Sequence, residues 1–324
     1  MDYHDNIPVV TLERAKRIMR SAVGLAREAA DSDSDSRLQT NEKSAPGILQ
    51  PSDSGVVLTN TRKTLYGTKS VALSLGPYGA VMNPSTEYSA EYDNHHSTFE
   101  ALESFHLERL QVFTEVPQVW EGVDYVAFET FGRVDEIRVA RQVMTEVFAQ
   151  GADKKRWWIS CVFPGSTEKG CLPTGESTDD AVEAMLDIGI GHDGQELERP
   201  WGIGINCTKV SKLRKLLVKF ENAVNNLLND DEDWPALVLY PDGTKKGEYY
   251  DTALKEWVVN AKSSEASQSE KAWYEELRDI VEETRDRAPW RAVVVGGCCR
   301  TGPDEIERLG MCLHGSMVQG RMKS

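Results

Sequence analysis

Six short runs of apolar, often β-branched residues punctuate the chain, each bounded by Gly, Pro or polar residues. They are 69–75 (KSVALSL), 124–130 (DYVAFET), 155–163 (KRWWISCVF), 201–207 (WGIGINC), 236–240 (ALVLY) and 291–298 (RAVVVGGC). Hydrophobicity that is continuous rather than alternating predicts strands covered on both faces, as in a parallel sheet. Between the runs, apolar residues recur at helical spacing and predict helices over about 98–112, 133–150, 178–188, 211–228, 270–285 and 303–312. A further amphipathic helix precedes the first strand, over about 11–30, with Thr11 as its cap. The final helix opens on Pro303, with Asp304 and Glu305 at its positive end. Strands alternating with helices place the chain in the α/β class, with crossover helices joining parallel strands.

Two stretches break this rhythm. Residues 31–55, DSDSDSRLQTNEKSAPGILQPSDSG, are too poor in apolar side chains to order themselves and are expected to form a mobile acidic insertion in a single domain spanning 1–324. Residues 247–270 carry Tyr and Trp among polar residues and suggest a segment covering an edge of the sheet. GIGHDG at 189–194 lacks the Lys-Ser/Thr ending of a phosphate loop and reads as a turn. His95 and His96 fall in a polar loop and are expected to face solvent.

Charge narrows the partners. A net charge of −15 and a pI near 5.0 argue against nucleic acid and anionic membrane. No run approaches the roughly 18 apolar residues of a membrane span, and the first ten residues do not read as a secretion signal. Six cysteines without a signal peptide point to free thiols in a reducing, cytoplasmic setting rather than to a disulfide framework.

Candidate chemistry gathers at the strand ends. Neighbouring side chains on a strand point to opposite faces, so Cys298 and Cys299 share a target only if the backbone leaves β geometry. Gly296 and Gly297, just before them, allow that departure. Cys207 closes another apolar strand and offers a third thiolate for one metal ion, although three buried cysteines also fit plain core packing. Cys161 lies inside an apolar run and reads as core; Cys171 falls in a polar loop and reads as incidental.

GINC at 204–207, GGCCRTGP at 296–303, SLGPYGA at 74–80 and DYVAFET at 124–130 together resemble, in order, the motifs of the homocysteine S-methyltransferase family. The resemblance runs from about residue 7 to about residue 315. It implies a (β/α)8 TIM-type barrel whose active site lies at the C-terminal ends of the strands. It places residue 7 just after the family's second strand, so the first one to two βα units have no counterpart in this sequence. It implies Zn2+ on Cys207, Cys298 and Cys299, with a fourth position open for the thiol of homocysteine. Glu129 is then the candidate for the substrate's ammonium group, and the backbone around Arg300, Thr301 and Gly302 for its carboxylate. The implied donor is S-methylmethionine or S-adenosylmethionine, with betaine belonging to the animal branch, and the product is methionine. Tyr78 is a candidate for the donor's surroundings. The alternative is a catalytically silent zinc-binding remnant of the family. A redox role for Cys298 with Cys299 is disfavoured, because a disulfide between adjacent cysteines is strained and no Cys-x-x-Cys is present. Oligomeric state is left open.

Overall fold

The computed structural model describes residues 11–40, 56–59, 69–164, 170–191, 194–229, 232–244, 248–251, 256–259 and 271–321. The six apolar runs form six parallel strands: β2 (Ala72–Leu75), β3 (Tyr125–Phe131), β4 (Arg156–Cys161), β5 (Gly202–Lys209), β6 (Ala236–Asp242) and β9 (Ala292–Val295). They stand side by side in chain order, and β1 (Val56–Thr59) adds to the outer edge of β9, giving the row β1-β9-β6-β5-β4-β3-β2. Among the described residues the row is open, with β1 and β2 at opposite ends; closure into a barrel is not part of this geometry.

Each parallel strand leads, sooner or later, into a helix: α2 (Phe99–Thr114), α4 (Val134–Ala149), α5 (Thr178–Leu186), α6 (Val210–Leu227), α7 (Trp273–Arg287) and α8 (Pro303–Arg321). A short helix, α3 (Pro117–Glu121), precedes β3. None of the described helices is long and apolar enough to cross a membrane. The period of two along each strand sorts the core into two layers. Leu75, Phe128, Ile159, Ile205, Leu239 and Val295 face the helices and join the main cluster, with Leu102, Met144 and Phe220 among its helical members. The opposite face carries Ala127, Trp158 and Val238, flanked by Tyr125, Tyr240 and Val294. Glycine in β5 is dictated by the close approach of the β6 backbone. A Cβ on Gly204 would lie 1.8 Å from the carbonyl oxygen of Val238.

The first part of the expected insertion is helical. Helix α1 (Leu12–Thr40) runs ten residues past its expected end at 30, through the Asp-Ser repeat. Once a helix is nucleated, each added residue gains a hydrogen bond at little further cost, and an Arg27–Asp31 pair one turn apart spans the junction. The rest of the expected mobile stretch, 41–55, lies outside the described residues. Immediately after it, β1 pairs antiparallel with β9, from Val56 opposite Val295 to Thr59 opposite Ala292. That pairing covers an edge that would otherwise offer unpaired backbone groups. The segment expected to cover an edge contains an antiparallel pair of strands forming a separate small sheet, the hairpin of β7 (Glu248–Asp251) with β8 (Glu256–Val259). Of the 189–194 run, expected to be a turn, residues 192–193 lie outside the described residues, and Gly194 N–H donates to Gly191 O at 3.0 Å.

Candidate metal and substrate site

Two departures from regular strand geometry build the site. In β5, alternation would put residue 207 on the helix-facing side with Ile203 and Ile205. Instead Cys207 has φ of +46°, at a register shift between Asn206 and Lys209, and its sulfur meets those of Cys298 and Cys299. Thr130, at the end of β3, is likewise left-handed at +64°. Such conformations are costly for residues with a Cβ and are kept only where surrounding contacts impose them. The contact here is Asn206, fully buried. Its Oδ1 accepts the Thr130 N–H at 2.8 Å and its Nδ2 donates to Thr130 Oγ1 at 2.8 Å. One side chain thus braces the ends of β3 and β5 together.

Beyond β9 the backbone keeps pairing with β6 through single hydrogen bonds. Gly296 N–H donates to Leu239 O at 2.8 Å, Cys298 N–H to Pro241 O at 2.9 Å, and Gly243 N–H to Cys299 O at 2.7 Å. Gly297 admits no side chain, since a Cβ there would meet the Thr301 hydroxyl at 2.4 Å. The strand therefore ends at Val295, three residues before the expected 298, and the two cysteines turn toward β5.

The sulfurs of Cys207, Cys298 and Cys299 lie within 4.8 Å of one another. Cys207 Sγ and Cys299 Sγ are 3.9 Å apart, close to the roughly 3.8 Å that separates two thiolates sharing a tetrahedral zinc at about 2.3 Å each. Cys207 and Cys298 are joined as a disulfide across Cα atoms 5.6 Å apart, so this pair must be reduced before both can serve as ligands. All three residues are half-buried and retain access to solvent. The donor set fits a soft or borderline cation such as zinc. Cys161 is fully buried, and burial pushes its thiol well up; it belongs to the core. Cys171 is half-buried, in an isolated bridge with Ser177.

Glu129, from the inner face of β3, accepts a hydrogen bond from Ser74 Oγ on β2. Tyr240 on β6 stands against it; burial first, and Glu129 second, push this phenol far up and keep it protonated. Its hydroxyl also contacts Ser160 Oγ and accepts from Trp158 Nε1 at 3.3 Å.

Arg300 points elsewhere. Its guanidinium pairs with Glu248 at 2.6 Å and lies over the Trp257 ring on the β7–β8 hairpin. The backbone expected to hold a carboxylate is also partly engaged. Thr301 N–H donates to Cys298 O at 3.2 Å and Gly302 N–H to Glu305 Oε2 at 2.9 Å. Only by exchanging these bonds can a carboxylate use those two donors. Tyr78 packs edge-on against Phe105, centroids 4.4 Å apart, and against His96 at 5.3 Å. His96 is also tied to Asp93 at 2.7 Å.

The tyrosine that reaches the cysteines is Tyr88, whose hydroxyl lies 3.7 Å from Cys299 Sγ, 211 residues away in the chain. Beside it, Glu87 reaches back over the end of β2, its Oε1 4.0 Å from where a Cβ on Gly76 would stand. Burial, and then the charge of Glu129, push the Glu87 carboxyl above its ordinary range. The loop is held from beneath by Glu136, which is fully buried and accepts from Tyr78 N–H at 2.6 Å, Tyr92 OH at 2.8 Å and His106 Nε2 at 2.9 Å. Neither Glu87, Tyr88, Asn206 nor Glu136 stood out in the sequence. The available signal was a repeated Glu-Tyr pair, Glu87-Tyr88 and Glu91-Tyr92, in the polar loop that follows the strand-ending Gly76-Pro77.

A profile of the family described as homocysteine S-methyltransferase matches residues 4–313. Homocysteine S-methyltransferase 2 of Arabidopsis thaliana is 29% identical over 258 residues, 78% of this chain and 60% of that protein. Selenocysteine Se-methyltransferase of Brassica oleracea var. italica is 28% identical over 258 residues, 78% of this chain and 58% of that one. The chain thus spans about six-tenths of the length of such curated relatives. The fold is similar to that of the homocysteine methyltransferase MmuM from Escherichia coli in its apo form, with a TM-score of 0.54 and 20% identity over 96% of this chain and 78% of that one. With the match running through nearly the whole sequence and taking in all three cysteines, the chain belongs to the homocysteine S-methyltransferase family.

Proposed function

We propose that this protein transfers a methyl group from a sulfonium donor, S-methylmethionine or S-adenosylmethionine, to the thiol of homocysteine, giving methionine. The observation that carries this reading is the convergence of three sulfurs, from the ends of β5 and β9, on one point that remains open to solvent. Cys207, Cys298 and Cys299 would hold zinc, which when bound lowers a thiol's pKa from about 8.5 so that the sulfur reacts as thiolate. The remaining work is positioning attacker, carbon and leaving group in line. Glu129 orients homocysteine through its ammonium group, with Ser74 and Tyr240 fixing the carboxylate. This role requires reduced thiols, the state that a cytoplasmic setting maintains. The parallel strands, in chain order with helices between them, fit one domain forming an arc of a TIM-type barrel whose reactive end is the C-terminal mouth.

The test is methionine formation by the reduced, zinc-loaded chain supplied with homocysteine and S-methylmethionine. Turnover that disappears in Cys207→Ser, Cys298→Ser and Cys299→Ser supports the reading; turnover that survives any of them refutes it. The open row of strands favours one alternative, a zinc-binding protein without activity, which a folded, zinc-loaded chain forming no methionine would establish.

A further inference from the structure

The site holds more carboxylate than one amino-acid substrate needs. Glu129 rises from the sheet floor, anchored to Ser74. Glu87 comes from the loop above, over Gly76 at the end of the same strand. The loop is preorganised: Thr86 N–H donates to Gly79 O at 3.0 Å and Ala90 N–H to Thr86 O at 2.7 Å. Arg133 caps its end, donating to Ala90 O at 3.2 Å with its guanidinium 4.8 Å from the centre of the Tyr92 ring. With the Tyr88 hydroxyl 3.7 Å from Cys299 Sγ, the Glu87–Tyr88 tip lies beside the sulfurs. Two carboxylates facing one space repel unless cations lie there, and both reactants of the proposed methyl transfer, on which this inference rests, carry an ammonium group.

We propose that Glu87 binds the ammonium group of the methyl donor while Glu129 binds that of homocysteine, so that the chain selects a sulfonium donor bearing an amino-acid head and rejects a trimethylammonium one. The floor carboxylate lies on the sheet from which the acceptor's sulfur site is built. The Glu87 carboxylate comes from a different element, the loop whose Tyr88 hydroxyl lies 3.7 Å from Cys299 Sγ, and so is free to take the second substrate. In the step itself, the homocysteine sulfur's electron pair forms the new S–CH3 bond as the donor's C–S+ bond breaks. That bond's pair stays on the donor sulfur, which leaves as a neutral thioether, and the thiol proton passes to solvent. A trimethylammonium donor has no N–H to give Glu87, so it cannot make the charge-assisted hydrogen bond that an amino-acid head makes.

The test compares wild type, Glu87→Gln and Glu129→Gln of the full, reduced, zinc-loaded chain, by calorimetric titration with S-methylmethionine, homocysteine and betaine and by steady-state methionine formation. Losing a charge-assisted hydrogen bond should raise the Kd and KM for S-methylmethionine about ten- to hundredfold in Glu87→Gln, with homocysteine values within twofold. Glu129→Gln should show the reverse, and betaine should not bind. Equal shifts for both substrates, no shift, or betaine binding overturn the proposal. Circular dichroism of Glu87→Gln, and Glu87→Asp with its retained charge regaining part of the donor affinity, separate recognition from misfolding. Wild type that binds S-methylmethionine through Glu87 yet forms no methionine upholds this assignment while refuting turnover; wild type that binds neither amino acid refutes both.

Discussion

Replacing Asn206 by alanine tests whether one buried amide sets the geometry of the metal site. The change removes two hydrogen bonds of 2.8 Å and leaves the Thr130 N–H and hydroxyl without their partner in a region shielded from water. An unsatisfied buried polar group costs about 1–3 kcal/mol, so two give about 2–6 kcal/mol. Relaxation of the left-handed Thr130 and Cys207 offsets about 1–2 kcal/mol of this. A net loss of about 1–4 kcal/mol is expected, a sizeable share of the roughly 5–15 kcal/mol that holds a folded protein together. Because Cys207 is the next residue, zinc affinity should fall about 10- to 100-fold, as when a group orienting a ligand is lost. Denaturant unfolding gives the first quantity and competition with a chromogenic chelator the second. A double-mutant cycle with Thr130→Ala should show coupling of about 0.5–1.5 kcal/mol. A stability loss below about 0.5 kcal/mol with unchanged zinc affinity would refute the reasoning.

Three further outcomes follow from the surrounding contacts. Glu136→Ala strips the shared partner from His106, Tyr92 and the Tyr78 N–H in the protein interior; it should cost about 3–5 kcal/mol in denaturant unfolding and raise the donor KM as the loop loosens, and a loss under about 1 kcal/mol would contradict the role given to it. Arg300→Ala breaks a partly exposed pair with Glu248, so stability should change by less than about 1 kcal/mol and the homocysteine KM by less than twofold; a tenfold rise in KM would return the Arg300 side chain to the site. Glu87 has a carboxyl raised in the fold by burial and by Glu129, so its contribution to stability is present below its unfolded pKa and is lost as pH rises through the raised value. Glu87→Gln should therefore gain in melting temperature relative to wild type between pH 4 and pH 7 in ligand-free protein, and a gap that narrows over that range would contradict the sign.

Legibility in the sequence followed burial. Val126, Phe128, Ile203, Ile205 and Leu237 are completely buried in parallel strands, and such strands announce themselves as unbroken apolar runs. The two glycines before Cys298 were informative for a related reason, because a strand has little other use for Gly-Gly. By contrast β1 follows directly on a polar insertion and forms only by pairing with β9, 233 residues or more further on, a long-range event with no local signature. The left-handed turn at Cys207 was invisible for a similar reason. It depends on Asn206 meeting Thr130 from another strand, and asparagine in GINC reads from sequence as an ordinary polar residue at a strand end. Glu87 and Tyr88 read as ordinary polar-loop residues, and only the fold brings Tyr88, itself still exposed, to Cys299 and Glu87 toward Gly76. Arg300 misled in the opposite sense: adjacency to Cys299 suggested a substrate contact, but a left-handed backbone at +64° accompanies a side chain directed to the hairpin.

The central claim is that three thiolates hold one metal ion with a place left for the substrate's sulfur. Zinc K-edge X-ray absorption on the reduced, zinc-loaded chain tests it directly. The account predicts three sulfur neighbours at about 2.3 Å, becoming four when homocysteine is added, and two or fewer in Cys207→Ser. Fewer than three sulfurs in the wild type, or a shell unchanged by homocysteine, would contradict it.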